Sequence, residues 1–266
     1  MKKVRVSHIL QKKRDQEKLL VLTAYDYYFG RLLDEAGVDM ILVGDSLGNV
    51  FSGHETTLPV TVDQIIYHCQ AVCRGAKRSL VVADMPFMSY QVNVDDAKRN
   101  AGRLVKEGGA AAVKIEAVSM DVSVFESVVQ MGVPVMGHIG FTPQGVHQLG
   151  GYRVQGRSEE QVDQLCRLAE SLAKAGCFSL VLEMVPSAVA QRISSLVDIP
   201  TIGIGAGQHC DGQILVTQDV LGMSFGDAPS FVRPYDQLTD RIRTALSGFQ
   251  SDVKSLVFPS IDQQFS

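Results

Sequence analysis

Short apolar runs recur along the chain, and most are followed by a longer stretch with helical periodicity. The runs are apolar throughout rather than alternately apolar and polar, which is typical of strands buried on both faces of a parallel sheet. The eight predicted strands are Leu19–Ala24, Met40–Gly44, Leu80–Asp84, Ala111–Glu116, Pro134–Ile139, Ser179–Glu183, Thr201–Gly205 and Gln213–Thr217. This pattern indicates the α/β class, with parallel strands joined through helices.

Helical candidates fill the intervals between these runs. They are Tyr27–Ala36, Val62–Ala76, Val94–Glu107, Ser119–Met131, Glu159–Ala175 and Ser187–Leu196. Asp95 and Ser158 stand where N-caps are expected, and glycines such as Gly37 and Gly108 stand where helices should stop. The sequence therefore carries start and stop signals for several of these helices.

Four helix-to-strand joins have the same form, a glycine followed by an apolar run, at Gly37, Gly108, Gly132 and Gly176. This recurrence favours one closed (β/α)8 TIM barrel, in which every unit repeats the same geometry, and such barrels typically have about 250 residues. A doubly wound open sheet is the structural alternative, because the eighth run follows the seventh closely. We predict a single barrel domain over residues 1–266, with an N-terminal extension at about 1–18 and a C-terminal tail at about 250–266.

The overall charge limits the partners of the chain. Its 266 residues have a formal net charge of −4, so there is no basic surplus to neutralise phosphate groups. We expect neither nucleic acid nor a membrane as a partner. The five cysteines form no CxxC pair, and no apolar run approaches the ~18 residues of a membrane helix. These features predict a cytoplasmic protein in a reducing compartment.

Polar side chains stand where the predicted strands end. They are Asp45 and Ser46 after the second strand, Asp84 at the third, Lys114 and Glu116 at the fourth, His138 at the fifth and Glu183 at the sixth. The carboxyl ends of barrel strands share one rim, where active sites of this fold lie, so these residues should serve function rather than stability. A single acidic residue after a strand is commonly only a helix cap. Four carboxylates on one rim, however, repel one another unless a cation or a substrate compensates.

The rim offers carboxylate oxygens and no cysteine or histidine cluster. Such oxygen ligands are preferred by a hard cation. Mg²⁺ fits best, since it binds through one or two carboxylates and completes its shell with waters and substrate oxygens. Lys114 and Glu116 are two residues apart on one strand and share a face, so Lys114 could hold a substrate carboxylate while Glu116 supports the metal. A Lys114–Glu116 salt bridge that fills the barrel is the alternative. The long segment Thr142–Arg157 has the size of a functional loop.

Seven motifs of the chain resemble those of the ketopantoate hydroxymethyltransferase family. They are VGDSLGNVFSGHETTLPVT (Val43–Thr61), VVADMPFMSY (Val81–Tyr90), AVKIE (Ala112–Glu116), PVMGHIGFTPQ (Pro134–Gln144), QLGGYRVQGR (Gln148–Arg157), LVLEMVP (Leu180–Pro186) and IPTIGIGAGQHCDGQILV (Ile199–Val216). The similarity runs in order from about Leu20 to about Tyr235, and several of the motifs are long and rarely seen elsewhere.

The resemblance implies a Mg²⁺-dependent TIM barrel of the phosphoenolpyruvate/pyruvate superfamily. The implied activity is transfer of a one-carbon unit from 5,10-methylenetetrahydrofolate to 3-methyl-2-oxobutanoate (α-ketoisovalerate) through a Mg²⁺-stabilised enolate. The product is 2-dehydropantoate, in the first step of pantothenate biosynthesis, on the pathway to coenzyme A. The resemblance also implies a homo-oligomer, usually a decamer, whose small-molecule partners are the keto acid and the folate.

The same resemblance assigns roles to the residues at the rim. The implied metal ligands are Asp45, Asp84 and Glu116, and the first two also contact the substrate. Ser46, Lys114 and His138 are assigned to substrate binding, and Glu183 is assigned as the general base.

Two other functions are weighed against this interpretation. A lyase or phosphonate-forming mutase of the same superfamily shares the use of Mg²⁺ and an enolate, but the KKCGH-like motif of several such lyases is absent from the sequence. A non-catalytic barrel that only binds a ligand should have lost the base or a metal carboxylate, and none is missing here.

Overall fold

The computed structural model describes residues 2–223 and 229–265, and its central feature is a closed parallel sheet. The strands pair in chain order, and the eighth pairs with the first. They are β1 (Leu19–Thr23), β2 (Met40–Val43), β3 (Leu80–Asp84), β4 (Ala112–Glu116), β5 (Val135–Gly140), β6 (Ser179–Glu183), β7 (Thr201–Ile204) and β8 (Gly212–Leu215). The predicted (β/α)8 barrel is confirmed, and the open sheet is wrong.

The described helices include all six that the sequence predicts. They are α1 (Val6–Arg14), α2 (Tyr27–Glu35), α3 (Leu47–Val50), α4 (Val62–Gly75), α5 (Val94–Lys106), α6 (Ser123–Gln130), α7 (Glu159–Lys174), α8 (Ser187–Leu196), α9 (Thr217–Val220) and α10 (Leu238–Lys254). Ser158 caps α7 as predicted, but Asp95 caps nothing. The cap of α5 is Asn93, whose backbone is extended and whose side chain accepts the N–H of Asp96, while Asp95 already lies in the first helical turn.

Apolar side chains fill two layers of the barrel unit. A larger cluster packs the strands against the surrounding helices. A smaller cluster combines alternate residues of the strands, including Leu80, Val82 and Met136, as expected for the interior of a barrel. Val4 and Ile9 belong to this smaller cluster. The segment predicted as an N-terminal extension therefore contributes apolar side chains to the interior.

Contacts between residues divide the chain into two compact units, Met1–Val216 and Thr217–Ser266. The first contains the complete barrel, and the second contains α9 and α10. The extent of a single domain over residues 1–266 stays a prediction. Within residues 2–223 and 229–265, no helix is long and apolar enough to cross a membrane. The five cysteines are free thiols, and the cytoplasmic location stays a prediction.

Candidate active site

Strand alternation places polar side chains at the carboxyl end of the barrel interior. Asp84 follows Leu80 and Val82 on the inward face of β3, and Lys114 and Glu116 continue the inward face of β4 that begins at Ala112. In the same way His138 follows Met136 on β5, and Glu183 follows Val181 on β6. The structure thus brings these five rim residues, Asp84, Lys114, Glu116, His138 and Glu183, into one polar layer above the apolar interior.

A buried ion pair joins β3 to β4 within this layer. The register sets Asp84 beside Lys114, and the Lys114 ammonium donates to both carboxylate oxygens of Asp84, at 2.6 and 2.8 Å. Burial lowers the pKa of Lys114, but the charges of Asp84, Glu116 and Asp45 outweigh this effect and raise it above its usual range. The ion-pair partner of Lys114 is Asp84, so the alternative of a Lys114–Glu116 salt bridge is wrong.

His138 lies between two carboxylates. Its Nδ1 is 3.5 Å from Oε1 of Glu116, and its Nε2 is 3.3 Å from Oε2 of Glu183. Burial opposes protonation of the ring, but the two carboxylates outweigh it and raise the pKa of His138 to about 9. Neither ring nitrogen meets hydrogen-bond geometry, so the contacts are electrostatic. His138 is therefore a cation that connects Glu116 to Glu183.

Asp45 and Ser46 follow β2 at the edge of this layer. The backbone N–H of Asp45 donates to Oδ2 of Asp84 at 3.1 Å. Burial and the charge of Asp84 raise the pKa of Asp45 well above its usual range, and Lys114 only partly offsets them. The hydroxyl of Ser46 is 2.8 Å from that of Tyr25, which fixes the position of the serine side chain.

Glu183 is the most accessible of the acidic residues in the layer. Its side chain is 15% exposed, compared with 2% for Asp84 and 0% for Glu116. Gly140 (φ +95°) permits the close approach of β5 to the Glu183 backbone, because a Cβ there would collide with the carbonyl oxygen of Glu183. Glu183 is thus the carboxylate of the layer that a bound molecule can reach most readily.

Gln144 is a site residue that the strand ends do not reveal. It lies in a 3-10 turn, Pro143–Gly145, after β5, and it is buried. Its side-chain amide donates to Oδ2 of Asp45 at 2.8 Å, and its backbone N–H donates to Oε2 of Glu116 at 3.0 Å. In the sequence, Gln144 ends the PVMGHIGFTPQ motif and lies in the long Thr142–Arg157 segment, but neither feature assigns it a role.

The donor set of the rim fits a divalent cation that is completed by other ligands. Oε1 of Glu116 is buried and makes no hydrogen bond, and its contact with Nδ1 of His138 is long at 3.5 Å, so this oxygen can serve as a metal ligand. No three His, Cys, Asp or Glu side chains within the described ranges 2–223 and 229–265 are grouped to hold a metal alone. Mg²⁺ does not require such a group, because it binds through one or two carboxylates with water and substrate oxygens. The three-ligand set of Asp45, Asp84 and Glu116 stays a prediction.

A closed parallel barrel with buried carboxylates, a lysine and a histidine at its carboxyl rim defines an enzyme of the TIM-barrel class. A model of the family described as ketopantoate hydroxymethyltransferase matches residues 3–261. The chain belongs to this family.

Curated relatives match over their full length. The chain is 50% identical over 265 residues to a 3-methyl-2-oxobutanoate hydroxymethyltransferase of Geobacter metallireducens, covering 100% of this chain and 99% of the relative. It is 51% identical over 258 residues to the protein of the same name from Geobacter sulfurreducens, covering 97% of each.

Solved structures of more distant proteins share the fold. A 2,3-dimethylmalate lyase of the PEP mutase/isocitrate lyase superfamily has a TM-score of 0.59 at 15% identity, covering 98% of this chain and 91% of that chain. A phosphonopyruvate hydrolase in complex with oxalate and Mg²⁺ has a TM-score of 0.61 at 8% identity, covering 98% and 93%. These likenesses show that the chain shares the barrel fold of these proteins.

Proposed function

We propose that this protein transfers a one-carbon unit from 5,10-methylenetetrahydrofolate to 3-methyl-2-oxobutanoate. With one water, the products are 2-dehydropantoate and tetrahydrofolate, in the first step of pantothenate biosynthesis. The observation that carries the proposal is the polar layer of β3 to β6, which combines a buried ammonium, buried carboxylates and one accessible carboxylate. The names of the full-length relatives support the same reaction.

Binding of the keto acid follows from the charges in this layer. Lys114, whose ammonium is held by Asp84, and the Ser46 hydroxyl bind the substrate carboxylate. Asp45, Asp84 and Glu116 would hold Mg²⁺. When bound, Mg²⁺ supplies Lewis acidity that stabilises negative charge developing on the keto oxygen. The solved complex of a phosphonopyruvate hydrolase with oxalate and Mg²⁺ is consistent with this pairing.

Proton removal is assigned to Glu183. One of its carboxylate oxygens takes the hydrogen from C3 of the keto acid, and the electron pair of the C–H bond is delocalised towards the keto group. As the two C–N bonds of the methylene bridge break, water supplies its oxygen to the methylene carbon and its two hydrogens to the folate nitrogens. C3 forms the new carbon–carbon bond with that carbon. The proton that Glu183 took returns to the oxygen, which becomes the hydroxyl group of the product. His138, 3.3 Å from Oε2 of Glu183, holds the base in position. No covalent bond to the protein is needed.

The proposal is tested by an omission assay. Purified protein is incubated with 3-methyl-2-oxobutanoate, methylenetetrahydrofolate and MgCl₂, and 2-dehydropantoate is measured by mass spectrometry. We expect product only in the complete mixture, with loss of product when the folate is omitted or when EDTA is added. Product formation that continues in EDTA would contradict the role of the metal, and absence of product from the complete mixture would contradict the proposed reaction.

Replacement of Ser46 by Ala should weaken keto-acid binding more than it slows turnover. The hydroxyl is proposed to donate to the substrate carboxylate, and a hydrogen bond to a charged group contributes about 1.5–3 kcal/mol, which corresponds to roughly 10- to 100-fold in KM. Steady-state kinetics at saturating folate measures the change. Tyr25→Phe, which removes only the hydroxyl that contacts Ser46, should give a smaller increase. An unchanged KM in Ser46→Ala would exclude the serine from the substrate site.

We also propose that the protein forms a homo-oligomer, a decamer in this family. Helix α10 has no buried residue, and its exposed apolar side chains Ile242, Leu246, Phe249 and Val253 follow helical spacing. An exposed apolar face of this kind is typical of an interface. Light scattering after size exclusion should give about ten times the 28.9 kDa mass of one chain. A monomeric mass would contradict the proposed assembly.

A further inference from the structure

Gln144 connects three loops of the catalytic rim through its side chain. Its Nε2 donates to Oδ2 of Asp45 at 2.8 Å and to the carbonyl oxygen of Met85 at 2.9 Å. Its Oε1 accepts from the hydroxyl of Tyr90 at 2.7 Å and from Nε2 of Gln91 at 3.2 Å. The amide thus makes four hydrogen bonds, which is its ordinary capacity.

This network allows only one orientation of the Gln144 amide. If the amide were rotated by half a turn, its oxygen would face the Asp45 carboxylate and the Met85 carbonyl, both of which are acceptors. The amide nitrogen would then face the Tyr90 hydroxyl and the amide nitrogen of Gln91. The two acceptors therefore fix which end of the amide points at Asp45, and the Tyr90 hydroxyl donates to the other end.

The same residue holds one oxygen from each of two acidic side chains. The amide of Gln144 binds Oδ2 of Asp45, and its backbone N–H binds Oε2 of Glu116. The second oxygen of Glu116, Oε1, is buried without a hydrogen-bond partner. Gln144 thereby restricts the rotation of both carboxylates.

We propose that Gln144, itself oriented by Tyr90, is a positioning residue that fixes Asp45 and Glu116 for binding of a divalent cation. This inference rests on the proposed function, because the cation is the Mg²⁺ of that reaction. Groups that orient metal ligands typically contribute 10- to 100-fold to metal affinity.

The residue types suit this role. A glutamate at position 144 would add a further carboxylate to the acidic layer, whereas an apolar residue would leave Asp45 and the buried Tyr90 hydroxyl unpaired. Burial and the charges of Glu116, Asp84 and Asp45 raise the pKa of Tyr90 well above its usual range. Its hydroxyl therefore stays protonated and remains a donor to Gln144.

The test uses Mn²⁺ as a spectroscopic substitute for Mg²⁺. Free and bound Mn²⁺ are distinguished by electron paramagnetic resonance of the folded, full-length protein without substrate. Gln144→Met keeps the approximate volume but removes both polar groups, and we expect its Kd for Mn²⁺ to rise about 10- to 100-fold. Tyr90→Phe removes one hydrogen bond from the network and should raise the Kd several-fold. Gln130→Met and Tyr67→Phe, at exposed positions on α6 and α4, should bind Mn²⁺ as the wild type does.

The outcomes separate positioning from a merely structural role. A structural role would lower the melting temperature of Gln144→Met and leave the Mn²⁺ affinity of the folded protein unchanged, and that result would overturn the inference. If Gln144→Met does not fold, Tyr90→Phe decides by the same criterion. If the wild type itself binds no Mn²⁺, the metal-dependent part of the proposed function fails as well. Equal affinity for Mn²⁺ in the wild type and the variants would contradict the positioning role of Gln144 and leave the proposed function intact.

Discussion

Replacement of Glu183 by Gln should slow exchange of the C3 hydrogen of 3-methyl-2-oxobutanoate with D₂O by about 10²- to 10⁴-fold. Glutamine keeps the shape and hydrogen-bonding reach of the side chain but lacks the basic oxygen. The polar layer still contains Asp84, Lys114 and Glu116, so Mg²⁺ and the keto acid should still bind. Proton NMR without folate follows the loss of the C3 hydrogen signal directly. Glu126→Gln, at an exposed position on α6, is the matched control and should exchange at the wild-type rate.

Two other results would reassign Glu183. Exchange at the wild-type rate together with loss of Mg²⁺ binding would make it a metal ligand instead of the base. If both exchange and Mg²⁺ binding persist, the base is a residue other than Glu183.

Asp84→Ala should abolish turnover and also destabilise the fold by about 3–5 kcal/mol. The reason is that the change leaves the buried ammonium of Lys114 without the carboxylate that it contacts at 2.6 and 2.8 Å, and removal of one partner of a buried pair has this cost. The position of Asp84 at a barrel rim alone predicts an effect on activity and none on stability. The buried ion pair with Lys114 adds the effect on stability. Urea unfolding measures the free energy of unfolding.

A double variant separates the two effects of Asp84. In Asp84→Ala/Lys114→Met the uncompensated charge is gone, and replacement of buried pairs by apolar residues is often neutral for stability. We therefore expect the double variant to recover much of the lost free energy of unfolding while it remains inactive. An Asp84→Ala protein as stable as the wild type would mean that Lys114 does not depend on Asp84 for its charge.

Much of the barrel could be predicted from the sequence because its strands are buried on both faces. Continuous apolar runs gave the positions of all eight strands to within about two residues, and the repeated glycine joins favoured closure. The starts of helices were less certain, since Asn93 and Asp95 are both residue types that cap, and only the backbone conformation decides between them. Helix α1 has a single fully buried residue, Ile9, too few apolar positions to show a periodic face.

The candidate site was predictable where it belongs to strands and unpredictable where it belongs to loops. Alternation along β4 places Lys114 and Glu116 on one face, so their common location follows from spacing. The ion-pair partner of Lys114 could not be predicted from spacing, because the register between β3 and β4 depends on the stagger of the closed barrel. Gln144 lies in a loop without periodicity, and its contacts with Asp45 and Glu116 exist only after three separate loops have come together.

The most direct test of the proposed chemistry is proton NMR of the wild-type protein in D₂O with Mg²⁺ and one candidate substrate at a time. We expect 3-methyl-2-oxobutanoate to lose its C3 hydrogen signal without folate, and to lose it far more slowly in EDTA. Phosphonopyruvate and 2,3-dimethylmalate, the substrates suggested by proteins of the same fold, should remain unchanged. Cleavage or rearrangement of either compound, with no exchange in the keto acid, would contradict the proposed hydroxymethyl transfer and favour a lyase or mutase.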